Sequence, residues 1–68
     1  MKFTVSVLGG KSKGAKQKIA EITADRYEED IPSYAHLTFY ATEDTFWSKT
    51  ESLVASIVIT GPYVVEQV

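Results

Sequence analysis

Hydrophobic and polar residues alternate with a period of two along several short stretches of this chain. In "FTVSV", Phe3, Val5 and Val7 fall on one face and Thr4 and Ser6 on the other, the pattern of a strand with one face buried. In "SYAHLTFYA", Ala35, Leu37, Phe39 and Ala41 alternate with Tyr34, His36, Thr38 and Tyr40, and Pro32 marks the start of the strand. "SLVASIVIT" is rich in β-branched residues, and a Gly-Pro pair separates it from "YVVEQV". Gly61 can supply a positive φ and Pro62 a fixed negative one, so this spacing predicts a C-terminal hairpin.

Two further stretches are less plainly patterned. "AKQKIAEITADRYEED" contains good helix formers, with Ala15, Ile19 and Ile22 on one helical stripe. Against a helix, lysines gather at its start and acids at its end, opposed to the helix dipole. Glu21 with Asp25, and Asp25 with Glu29, are also like charges four residues apart. As a strand, Ala20, Ile22 and Ala24 face one way and Glu21, Thr23 and Asp25 the other, and strand is the favoured reading. In "TEDTFWSKTES", Thr42 could cap a short helix with Glu43 and Asp44 in its first turn. Thr45, Ser48, Thr50 and Ser52 are poor helix formers, so a hairpin turn at "TEDT" or an irregular insertion fits equally well.

These elements predict one all-β domain over residues 1–68, a small antiparallel meander or barrel of about five strands. The alternative is an α+β domain with one helix at about 15–29 packed on an antiparallel sheet.

Length and composition limit what such a domain can be. A chain of 68 residues buries only about 60% of its unfolded surface and is marginal without staples or a partner. It has no cysteine, which removes disulfides and thiolate metal sites together. Met1 to Leu8 alternates where a signal peptide would be apolar, and the run Leu53–Ile59 is too short to span a bilayer. The expectation is a cytoplasmic protein with no membrane association. The net charge of −2 is unevenly spread: residues 1 to 20 hold five lysines and no acid, and residues 21 to 68 hold all nine acids against Arg26 and Lys49. The lysines either neutralise acids within the fold or leave a basic loop facing an anionic partner.

Motifs for catalysis are lacking. Gly9 and Gly14 have the spacing of a phosphate-binding P-loop, but Ala15 stands where its lysine belongs and Lys16 where its serine or threonine belongs. The stretch reads as a glycine-punctuated connection between strands. His36 is the only histidine, without a nucleophile or carboxylate at catalytic spacing. The expectation is a non-enzyme with neither metal nor cofactor.

The aromatic residues point to binding. Leu37 and Phe39 supply the buried face of their strand, which leaves Tyr34 and Tyr40 on the other, and Phe46 and Trp47 follow closely. Exposed aromatics on a rigid sheet serve as protein hot spots or as platforms for unpaired bases. Phe46 and Trp47 could instead fold back to close the core of an undersized domain. A sequence pI near 5.2 disfavours a phosphate backbone, whose binding depends on positive charge. The leading expectation is a non-catalytic protein-interaction module, an accessory or inhibitory protein that binds a larger enzyme. Tyr34, His36, Tyr40 and Trp47 would form the contact surface and Glu43 and Asp44 its acidic rim. The alternative is a single-stranded nucleic-acid-binding β-barrel, with Lys11, Lys13, Lys16 and Lys18 on phosphates. The segment "YVVEQV" carries one charge and reads as a β-prone edge, which leaves a homodimer open.

Overall fold

The computed structural model describes residues 1–9, 16–30 and 35–68, with the side chain of Ala35 outside that description. These residues form six strands: β1 (Lys2–Leu8), β2 (Lys16–Thr23), β3 (Arg26–Asp30), β4 (Ala35–Asp44), β5 (Lys49–Ile59) and β6 (Tyr63–Gln67). They assemble as two antiparallel sheets of three strands, a first sheet in the order β2-β1-β6 and a second in the order β3-β4-β5. The all-β expectation holds. There is no helix among the described residues, hence none long and apolar enough to cross a membrane.

Three finer expectations need correction. The helix at about 15–29 is replaced by β2 and β3, which lie in different sheets. The alternation that buries Ile22 and Ala24 decides this, since a helix would have turned one of them toward solvent. The sheets do not close into a barrel. The Gly-Pro pair does not make a hairpin either: β6 leaves β5 and pairs with β1, with Val5 opposite Val65 and Val7 opposite Tyr63. Gly61 does take the positive φ expected of it, at 95°, but the turn carries the chain from one sheet to the other.

One side of each central strand faces the opposing sheet. Phe3 and Val5 of β1, with Ile22 of β2, meet Leu37 and Phe39 of β4 and Ile59 of β5. Ala20, Ala55, Ile57, Tyr63 and Val65 pack around them. Tyr27 of β3 completes an aromatic cluster, with its ring centroid 5.5 Å from Phe3 and 5.7 Å from Phe39, and Phe3 and Phe39 6.0 Å apart. These separations and tilted orientations suit ring quadrupoles and add about 0.5–1.5 kcal/mol per pair beyond burial.

The corner between the sheets is Ala24–Asp25. Ala24 is buried, its N–H donates to the Met1 carbonyl at 2.8 Å, and the Asp25 N–H donates to the Tyr40 carbonyl at 2.8 Å. Hydrogen bonds of the chain thus pass from the edge of the first sheet to the edge of the second within two residues. Two bulges adjust the faces. Ile19 is the extra residue on β2, between the Val5–Ala20 and Ser6–Lys18 pairs, and Val54 the extra residue on β5, between the Phe39–Ala55 and Tyr40–Leu53 pairs. Both are exposed, as the unpaired residue of a bulge commonly is.

The core is small, so single substitutions in it are costly. Phe39→Ala is expected to lose about 3–5 kcal/mol, comparable with what one core of this size supplies; circular dichroism should find the variant largely unfolded at room temperature. Tyr63 has a buried hydroxyl without a partner among the described residues. Tyr63→Phe removes that unsatisfied group and should stabilise by about 1 kcal/mol, a rise in thermal midpoint of about 4–8 °C.

Candidate functional site

β4 and β5 run on past the core as a two-stranded arm. Thr42 pairs with Glu51, Glu43 with Thr50 and Asp44 with Lys49. Alternation places Thr42, Asp44, Lys49, Glu51 and Leu53 on the outer face of the second sheet and Glu43, Thr50 and Ser52 on the inner one. From Glu43 to Val54 every residue is exposed. A ribbon with no buried face is marginal by itself, so this arm depends on its base and on its turn.

The turn is Thr45-Phe46-Trp47-Ser48. Among the described residues no residue other than glycine has a positive φ, which rules out the type I′ turn that a two-residue hairpin loop prefers. Thr45 compensates. Its N–H donates to the Ser48 carbonyl at 2.8 Å, and its hydroxyl donates to the same carbonyl at 2.8 Å while accepting the Ser48 N–H at 3.0 Å. The tip is thereby closed by a side chain standing in for a backbone acceptor. Phe46 is 90% exposed and Trp47 88% exposed, and they touch edge to face with centroids 4.8 Å apart.

The base of the arm is tied by charge. Asp25 accepts the Thr42 N–H at 2.6 Å, which holds the sheet corner to the arm's first residues. On the outer face, Arg26 grips both carboxylate oxygens of Glu51 and reaches Glu28 at 2.7 Å. The same guanidinium lies 4.4 Å from the centre of the Tyr40 ring, and the Tyr40 hydroxyl donates to Glu28 at 3.3 Å. Bidentate contact fits the planar guanidinium fork. It holds the Arg26 pKa above its ordinary value and the Glu51 carboxyl below its own. The Tyr40 phenol is pushed up, first by desolvation and then by the Glu28 charge.

The structure divides the residues expected to act together. Trp47 is free at the tip. Tyr40 belongs to the arm's base, half-buried under Arg26. His36 shares Tyr40's outer face, with its Nε2 in contact with the Ser56 hydroxyl. Glu43 and Asp44 both lie near the tip but face opposite sides of the ribbon, and neither makes an ion pair among the described residues. Tyr34 lies outside the described residues.

Of the lysines proposed for phosphates, Lys16 pairs with Glu66 at 3.0 Å and Lys18 with Glu21 at 3.1 Å. Lys11 and Lys13 lie outside the described residues, as does the rest of the glycine-spaced loop after Gly9. Arg26, Glu28 and Glu51 were not foreseen as a unit, because their proximity depends on β3 and β5 flanking β4. No group of His, Cys, Asp and Glu able to hold a metal ion occurs among the described residues. No protein-family model, curated protein or solved structure matches the chain.

The ion pairs set a pH dependence. Lys2, then Lys18, holds the Glu21 carboxyl below its ordinary value, and Arg26 does so for Glu51. Both carboxyls bind protons more weakly folded than unfolded. Their stabilisation is therefore complete above the unfolded value of about 4.3 and is lost as pH falls through the lower folded values. The thermal midpoint should be level between about pH 7 and 5 and fall progressively below about pH 4. Glu51→Gln should make that fall shallower, as read by thermal melts across the acid range.

Proposed function

We propose that this chain is a non-catalytic protein-interaction module whose β4–β5 arm carries Phe46 and Trp47 into an apolar pocket of a larger protein, in the manner of an accessory or inhibitory subunit. The observation that carries this reading is the placement of the chain's sole tryptophan and an adjacent phenylalanine almost wholly in water, on a turn closed by three hydrogen bonds. A domain short of core material leaves two of its largest apolar side chains outside that core. Aromatic residues held in this way bind at low entropic cost, because the turn is already ordered before the partner arrives.

The charge around the tip favours a protein over a nucleic acid. Glu43, Asp44 and Glu51 outnumber Lys49 on the arm, so a partner pocket with a basic rim is the complementary surface. The expected contact surface contracts toward the tip, with Trp47 and Phe46 as anchors and Glu43 and Asp44 as rim. Tyr40 supports the arm's base instead of touching the partner, and His36, opposite Val58 at the far end of β4, lies outside the contact surface. The absence of cysteine suits a reducing compartment, the cytoplasm.

Affinity capture from the source cells, with the wild-type chain and the Phe46→Ala/Trp47→Ala variant as parallel baits, tests this reading. One or a few proteins should be retained by the wild type and lost with the variant, while the two thermal midpoints agree within a few degrees. Equal retention by both baits would remove the tip from the site. Salt-sensitive quenching of Trp47 by a single-stranded oligonucleotide would replace the protein partner with nucleic acid.

A further inference from the structure

β5 is an edge strand, and among the described residues nothing pairs with its free side. Which of its backbone groups point outward follows from the turn. The Thr45 N–H bonds to the Ser48 carbonyl, so Thr45–Ser48 is a hydrogen-bonded pair. By alternation Glu43–Thr50 and Ala41–Ser52 are also hydrogen-bonded pairs. The N–H and C=O groups of Lys49, Glu51 and Leu53 therefore face the open edge.

A second copy can pair with this edge only in registers that set these outward residues against one another. Antiparallel self-pairing centred on Lys49 opposes lysine to lysine, and pairing centred on Glu51 opposes glutamate to glutamate. A centre at Ser52 sets Glu51 against Leu53. Pairing centred on Thr50 sets Lys49 against Glu51 of the second copy, twice by symmetry. Lys49 makes no ion pair within the described residues, and Glu51 keeps lone pairs beyond those taken by Arg26.

The same register brings Trp47 opposite Leu53 of the second copy and Phe46 toward its Val54. Leu53 is 62% exposed, and Val54 is exposed at the bulge. Four apolar residues left in water by one copy are thus covered by the other, on a surface whose charges also match.

We propose that two copies of this chain associate by antiparallel pairing of their β5 edges centred on Thr50, with Lys49 opposite Glu51 and each aromatic tip on the other's Leu53 and Val54. The interface is short, which places it in the weak, reversible class. The pairing itself does not depend on the partner-binding reading. One consequence does rest on it: the dimer covers Phe46 and Trp47, so a protein partner must compete with self-association for the tip.

Sedimentation velocity of the purified full chain over a wide concentration series tests the pairing with no other protein present, so its outcome is separate from that of affinity capture. The wild type should pass reversibly from monomer to dimer. Lys49→Glu sets like charges opposite each other twice and should weaken the dimer at least about tenfold. Its thermal midpoint at low concentration should fall only slightly, because Lys49 makes no ion pair among the described residues and the new glutamate meets only the exposed Asp44 across the arm. Mixing Lys49→Glu with Glu51→Lys should restore a dimer of one copy of each, since each glutamate then meets a lysine. A wild type that stays monomeric throughout overturns the proposal, as does a dimer indifferent to Lys49→Glu, which would move the association to another edge such as β6.

Discussion

Phe3, Tyr27 and Phe39 come from three strands of two sheets and meet at centroid separations of 5.5 to 6.0 Å. They clamp the first sheet to the second. Neither three-stranded sheet has another extensive apolar surface to bury, and a sheet this small gains stability only by covering one face. With the clamp in place, Val5 and Leu37 become inaccessible to solvent and Ala24 is sealed in the corner between sheets. The arm then extends from a β4 strand whose core half is held by packing.

A core this small leaves much of the chain to be organised by polar contacts. The outer face of the first sheet is laced by Lys2 and Lys18 on Glu21 and by Lys16 on Glu66. On the second sheet Arg26 joins Glu28 and Glu51 over the ring of Tyr40. Exposed ion pairs contribute little individually, but Lys2–Glu21, Lys16–Glu66 and Arg26–Glu51 cross strand boundaries and bear on register and orientation. The long axis of 51 Å against a shortest of 11 Å shows how far the strands extend beyond what the core covers. Such a shape exposes edges and ends, the parts of a β protein most disposed to pair with something else. The proposed partner contact at the tip and the proposed self-contact along β5 draw on this same property.

The strands and their buried faces were legible from local pattern. Phe3 and Val5, Leu37 and Phe39, and Ile22 and Ala24 lie inside as two-residue alternation requires. Gly61 takes the conformation that glycine before proline suggested. Less legible was the turn, which lies at Thr45–Ser48 and not at "TEDT", because the hydroxyl of Thr45 substitutes for the usual turn geometry. The bulge at Val54 was equally hidden. Two adjacent apolar residues do not reveal which one the ladder will leave out.

By itself, then, the sequence determined an all-β chain, which residues of β1, β2 and β4 face inward, and a length too short to bury much of its surface. Alternation is a local property, set by the backbone's own two-residue repeat. Tertiary structure alone decided that β6 joins β1 instead of β5, that β2 and β3 part company at Ala24, and that Arg26 reaches Glu51 across β4. It also decided that Phe46 and Trp47 remain in water. Those outcomes depend on which distant strands compete for the same edge and the same few buried positions, and no local window of sequence contains that competition.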